Sequence, residues 1–145
     1  MILYLDSSAL VKVYVREVGS DTVRRALASS AQAATAVVAI PEFHAAVARR
    51  VRESMLSERQ AAAARSDFEA DVTHYLVPDV DRALAHRAAE LATVRGLRGF
   101  DAVHLAAALK LAEDLALPDV VFASADRQLR REAANEGLTV LEPDQ

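Results

Sequence analysis

Met1-Ile2-Leu3-Tyr4-Leu5-Asp6-Ser7-Ser8-Ala9-Leu10-Val11-Lys12 opens the chain. Ile2 to Leu5 is an unbroken apolar run, too short for a helix and continuous rather than alternating, as a strand covered on both faces must be. Asp6 ends it, and Ser7 or Ser8 can cap a helix through about Arg16. A strand that hands over to a helix this abruptly reads as the first half of a βαβ unit.

Working outward, further short apolar runs at Ala33 to Val37, Tyr75 to Val77, Val120 to Ala123 and Thr139 to Leu141 alternate with longer segments of helical period. The alternation predicts an α/β domain with a mainly parallel central sheet of four or five strands. Gly19-Ser20-Asp21 breaks the chain and caps a second helix to about Ser29. A third helix begins near Val38 to Pro41, where a first-turn proline is tolerated, and runs through Arg52. Ser57-Glu58-Arg59-Gln60 is a capping box for the fourth. Leu84, Ala88 and Leu91 mark one buried stripe, ended by Gly96. Gly99-Phe100-Asp101 opens another helix, with Leu105, Leu109 and Ala112 on its apolar face, stopping before Pro118. The last helix, Asp126 to Glu136, closes at Gly137.

Composition limits what such a chain does. Its 145 residues, 52% of them hydrophobic, suit one folded unit over residues 1–145 that needs no metal or disulfide to hold its core. With no cysteine, thiolate zinc sites, iron–sulfur clusters and thiol nucleophiles are excluded. A formal charge of −4 argues against holding nucleic acid by bulk positive charge, though a locally basic groove or a bound cation still could. The N-terminal run meets Asp6 too soon for a secretory signal, and the longest nearly uncharged stretch, Ala31 to Pro41, falls short of the roughly 20 residues of a membrane helix. The expectation is a cytoplasmic protein with no membrane partner.

Chemistry is carried by acids. In open parallel sheets, ligands bind beyond the carboxyl ends of the strands. Asp6 directly follows the first strand, and Asp126 follows Val120 to Ala123 after a Ser124-Ala125 turn. Asp101 and Glu42 lie in the first turns of their helices, where the macrodipole favours negative charge. Each alone is explained as a helix cap or first-turn acid. If the four converge, their repulsion raises their pKa values unless a cation sits among them. Hard oxygen ligands of this kind select Mg²⁺ or Mn²⁺.

Asp6-Ser7-Ser8-Ala9-Leu10-Val11-Lys12 after an N-terminal strand, Glu42 in a helix near position 40, Phe100-Asp101-Ala102-Val103-His104-Leu105-Ala106-Ala107-Ala108, and Phe122-Ala123-Ser124-Ala125-Asp126-Arg127-Gln128-Leu129 near the end together resemble the PIN domain. More narrowly, they resemble the toxin component of VapBC-type toxin–antitoxin pairs. The likeness covers nearly the whole chain in order, although no one of these motifs is specific by itself. With 21 acids in 145 residues, acids at four pre-specified positions coincide about once in 2,000 trials. The resemblance implies a three-layer α/β/α fold and a Mg²⁺- or Mn²⁺-dependent endoribonuclease that hydrolyses RNA through a metal-activated water. It implies that Asp6 and Asp101 are direct ligands, that Asp126 binds directly or through water, and that Glu42 serves as ligand or water-orienting base. It further implies a VapB-like antitoxin partner and a homodimer. Pro41 and Arg127 depart from the family pattern, so the Glu42 helix is open to a shift of part of a turn and the number of ions stays open.

Ser8 and Ser124 are secondary candidates as hydrogen-bond donors to a metal ligand or phosphate, with capping and turn formation as ordinary alternatives. His104, three residues after Asp101, reads as a packed, hydrogen-bonded histidine before a catalytic one. Lys12 reads as a solvated lysine. The arginines at 24–25, 49–52, 95–98 and 127–131 read as solvent faces of amphipathic helices, or as phosphate contacts if they rim the acids. Leu10, Val13 and Tyr14 with Val47 and Val51 could form an exposed apolar contact surface, or simply core. Competing readings are a housekeeping RNA-processing nuclease, a non-catalytic module that binds RNA or protein, and a phosphatase of the haloacid dehalogenase kind. Ser8 argues against the last, which needs a second Asp two residues after the first.

Overall fold

The computed structural model describes residues 1–115 and 119–143, so Pro118 lies outside the described residues. Four strands form one all-parallel sheet. β1 (Ile2–Leu5) pairs with β2 (Gln32–Ala34) on one side and β3 (Val120–Ala123) on the other, and β4 (Thr139–Leu141) lies beyond β3, giving the order β2-β1-β3-β4. The helices are α1 (Ser7–Tyr14), α2 (Ser20–Ser29), α3 (Ala39–Arg52), α4 (Glu58–Val72), α5 (Arg82–Arg95), α6 (Gly99–Asp114) and α7 (Arg127–Asn135).

The pleat of β1 explains the layering. Successive side chains point to opposite faces. Ile2 and Tyr4 join Phe122 and the apolar residues of α5, α6 and α7, among them Leu84, Leu105 and Leu129. Leu3 and Leu5 join those of α1 to α4, among them Leu10, Val23, Phe43 and Phe68. A central strand between two helical layers has no wet face, hence its continuous apolar sequence. The result is an α/β/α sandwich of the expected kind.

Several boundaries differ from expectation for identifiable reasons. The run at Tyr75 to Val77 does not become a fifth strand; only Leu76 bridges Ala34, and Pro78, which has no N–H, stops the ladder there. β2 covers Gln32–Ala34 rather than Ala33 to Val37, because the Thr35 hydroxyl donates to the Leu5 carbonyl at 2.7 Å and the backbone turns at Ala36 into α3. Pro41 is absorbed in the first turn of α3, where its missing N–H costs nothing. The capping box closes as predicted, Ser57 and Gln60 each satisfying the other's backbone N–H. Leu10 and Val47 are fully buried in the core, so they belong to no exposed contact face. Lys12 is not solvated: its ammonium is largely buried and bonds the Val18 carbonyl at 2.7 Å and Glu17 at 3.3 Å.

Candidate active site

The strand order places the site. The chain leaves β1 toward β2 on one side while β3 lies on the other, so the carboxyl ends of β1 and β3 flank a topological switch point, where the helices that follow diverge and open a crevice. Asp6 stands at the end of β1 and Ser124 at the end of β3. A cleft of about 530 Å³ opens there, onto which Asp6, Glu42, Asp101 and Asp126 all face. The four predicted acids, separated by up to 120 residues of chain, are thus brought together.

Asp6 is held hardest. It is the N-cap of α1, only 3% exposed. Its Oδ1 accepts from the Ala9 N–H at 2.9 Å and from the Ser8 hydroxyl at 2.6 Å, and its Oδ2 accepts from the Ser124 hydroxyl at 2.6 Å. Ser124 in turn accepts from the Asp126 N–H, and Ser8 from the Ala125 N–H. Both secondary serines therefore tie the β3–α7 turn to Asp6. Asp126 caps α7 through Oδ1, which accepts from the Leu129 N–H, leaving Oδ2 toward the cleft.

Glu42 is fixed from the opposite wall. Its Oε1 accepts from the Ser7 hydroxyl at 2.5 Å and from His104 Nε2 at 2.9 Å. His104 is 1% exposed, and its Nδ1 lies 2.9 Å from the Tyr4 hydroxyl. Burial, with help from the charges of Asp6 and Glu42, pushes the Tyr4 phenol well above its ordinary pKa, so it keeps its proton. With Tyr4 donating to Nδ1, Nε2 carries the proton that is donated to Glu42. Burial acts to raise the Glu42 carboxyl, but the hydrogen bonds from His104 and Ser7 outweigh it, and the group ends below its ordinary range. Ser7 was not singled out by sequence, where its neighbour Ser8 looked equivalent. Only the fold shows that one serine turns to Asp6 and the other to Glu42.

Asp101 and Asp126 share a counter-charge. Arg98, whose side chain is 81% exposed, places Nε 3.1 Å from Asp101 Oδ2 and one Nη 3.2 Å from Asp126 Oδ2. Burial raises the Asp101 carboxyl above its ordinary range; Arg98 opposes this, while Asp126 and Asp6 add to it. In this wall one solvent-exposed guanidinium is shared between two carboxylates. The donors are all oxygen, the class that hard divalent cations take, and the residues present fit such an ion by chemistry. Among the described residues, no three acids or histidines are gathered at the spacing of a single coordination sphere in this arrangement, with Arg98 drawing Asp101 and Asp126 to itself. Arg49, Arg50 and Arg52, all near the end of α3, form the basic side of the cleft. Arg50 is bound to Glu17, whereas Arg49 and Arg52 are exposed.

Comparison with known proteins places the fold in a family. Residues 3–135 match the model of the PIN domain. Ribonuclease VapC49 of Mycobacterium tuberculosis is 33% identical over 139 residues, covering 96% of this chain and 94% of that one. Among solved structures, VapC20 of M. tuberculosis, a toxin that cleaves the sarcin-ricin loop, superposes with a TM-score of 0.67 at 19% identity, over 97% of this chain and 99% of that one. A chain from a toxin–antitoxin complex of Klebsiella pneumoniae superposes with a TM-score of 0.61 at 13% identity, over 97% of both chains. No helix among the described residues is long and apolar enough to cross a membrane.

Proposed function

We propose, from the premise that this chain belongs to the PIN domain family, that it is a divalent-cation-dependent endoribonuclease and the toxin half of a toxin–antitoxin pair. One observation carries the reading: four carboxylates from four separate segments face one cleft at the carboxyl end of a parallel sheet. A purely structural domain has little reason to gather them, since Asp101 and Asp126 share one exposed arginine and the Asp101 carboxyl is still held above its ordinary range. RNA as substrate, a small antitoxin partner and a cytoplasmic place of action are supported by the likeness to ribonuclease VapC49 and to the Klebsiella complex. The same likeness favours a toxin over a housekeeping nuclease, and a homodimer is part of the same proposal.

Asp6, Asp101 and Asp126 would hold Mg²⁺ or Mn²⁺, with Glu42 as a further ligand or as the base toward water. Such a cation lowers the pKa of water and offsets charge on a phosphodiester. The chain's own residues do the rest. Ser8, Ser124 and the Ala9 N–H lock Asp6 in one rotamer, so that binding it costs no side-chain ordering. The Ser7 and His104 hydrogen bonds keep Glu42 ionised and occupy Oε1. Oε2, which has no hydrogen-bond partner among the described residues, is left to accept a proton from water. Arg98 is exposed enough to turn from the two aspartates toward bound RNA.

Purified protein should cleave RNA with added Mn²⁺ or Mg²⁺, stop in EDTA, and lose activity on Asp6→Asn or Asp101→Asn while keeping its circular dichroism. Undiminished cleavage by either variant, or by wild type in EDTA, overturns the assignment.

A further inference from the structure

We propose that the Phe100 ring and the Arg98 guanidinium form a subsite for one unpaired nucleobase, adjoining the acidic cleft; this rests on the RNA-cleaving reading of that cleft. Phe100 is 60% exposed although it is among the largest apolar side chains in the protein. It joins neither core cluster; α6 contributes Ala102, Leu105 and Leu109 to the core instead. The ring therefore does nothing for folding, and its exposure is unfavourable unless something covers it in use. It stacks on no other aromatic ring among the described residues.

A cavity of about 500 Å³ lies against it, lined by Glu42, Arg98, Gly99, Phe100 and Asp101. Three of these, Glu42, Arg98 and Asp101, also line the acidic cleft. The two spaces share that wall, and Phe100 immediately precedes Asp101 in the chain. Gly99 between the ring and Arg98 leaves the approach open: a Cβ built there meets nothing within 4 Å.

The occupant follows from this mixture. An aliphatic peptide side chain would bury the ring but offer no polar or stacking contact to the charged groups around it. A nucleobase offers an apolar face to Phe100, a second face or an edge to the planar Arg98 guanidinium, and polar edge atoms to the rest. Its backbone phosphate would fall toward the cleft, where the carboxylates repel it and the exposed Arg49 and Arg52 on the basic side attract it. A base inside a duplex cannot present its face, so the subsite selects RNA that is single-stranded or looped at the cut.

The test uses the whole protein in EDTA, where cleavage is stopped, and single-stranded RNA oligonucleotides carrying the fluorescent base 2-aminopurine at each position in turn. Binding should quench one or two positions and leave the others bright. Phe100→Ala should abolish that quench and weaken binding by about 5- to 150-fold, the size of one base stacking on one ring, with an unchanged melting temperature. Phe100→Trp should restore both, and Phe100→Leu should not. If Phe100→Ala binds and quenches like wild type, the subsite is wrong even where the protein cleaves RNA. Full restoration by Phe100→Leu also overturns it, since that is the behaviour of an apolar seat for a peptide side chain. If no RNA is cut with any cation while the Phe100-dependent quench remains, the nuclease reading falls and the base subsite stands; absence of any quench in the wild type sinks the subsite.

Discussion

The Ser124 hydroxyl donates to Asp6 Oδ2 at 2.6 Å across 118 residues of chain, tying the end of the third strand to the end of the first. Both residues are buried, so water cannot take over the bond if the hydroxyl is removed. Ser124→Ala should therefore destabilise the protein by about 1–3 kcal/mol, the cost of a buried charged acceptor losing a partner. Ser8→Ala, at a half-buried position, should cost less. Urea denaturation reads both; a Ser124→Ala midpoint equal to wild type would show that Asp6 needs no fixing from β3.

Acid sensitivity should report the bonds that hold Glu42. Its carboxyl lies below the ordinary range in the folded protein because His104 and Ser7 outweigh the effect of burial. A depressed folded-state pKa contributes stability that is present above the unfolded value and lost as pH falls through the folded one. Ser7→Ala should thus cost about 1 kcal/mol near neutral pH. The gap from wild type should narrow once the medium is acid enough to protonate Glu42 in both proteins. Thermal melts across an acid series would show the convergence, and a constant offset at every pH would assign the loss to packing instead.

Asp101 behaves in the opposite sense. Burial raises it, Arg98 restrains the rise, and Asp126 and Asp6 add to it. A raised carboxyl favours folding below its ordinary pKa, and that contribution disappears as pH climbs through the raised value. A cation binding the ionised form should therefore lift the melting temperature more strongly as pH rises through the titration of Asp101. Calorimetric melts with and without Mn²⁺ over that interval check it; a cation effect that shrinks with rising pH contradicts it.

Removing Arg98 separates its two roles. The side chain is 81% exposed, so its ion pairs contribute little to folding, and Arg98→Ala should leave stability without added cation close to that of wild type. The same change deletes a positive charge that competes for Asp101 and Asp126. At pH 7.5, Mn²⁺ should bind about fivefold more tightly once that like charge is gone. Titration calorimetry gives the number. Weaker Mn²⁺ binding would mean that Arg98 assembles the acids rather than competing for them.

Much of this was legible in the chain because its signals are local. Ile2 to Leu5 names a strand covered on both faces, and acids placed just after strands or in first helical turns fall at the carboxyl end of the sheet by topology alone. What stayed hidden depends on contacts between distant residues. That Tyr75 to Val77 yields a single bridge turns on Pro78. Ser7 and Ser8 are indistinguishable as capping residues, yet one meets Glu42, 35 residues on, and the other stays with Asp6. Arg98 sits in a charge cluster that reads as an ordinary solvated face, and only the approach of α7 to α6 reveals it as the bridge between two acids.

The basic side of the cleft gives the last prediction. Glu42, Arg49 and Arg52 lie along one side of α3, with the small residues Ala45 and Ala46 between them, and all five line the cleft. At 1.5 Å per residue, Arg49 and Arg52 stand about 10 and 15 Å along the helix from Glu42. Neither makes an ion pair among the described residues, so both charges are available to RNA phosphates on either side of the cut. Each phosphate contact on single-stranded RNA contributes about 0.7 to the slope of log affinity against log salt. Arg49→Ala with Arg52→Ala should lower that slope by about 1.4 and leave stability within about 0.5 kcal/mol of wild type. Arg25→Ala, on exposed α2 outside the cleft, should leave the slope unchanged. Fluorescence anisotropy of a labelled oligonucleotide at several salt concentrations in EDTA decides the matter: if the double variant and Arg25→Ala give equal slopes, RNA does not run along α3.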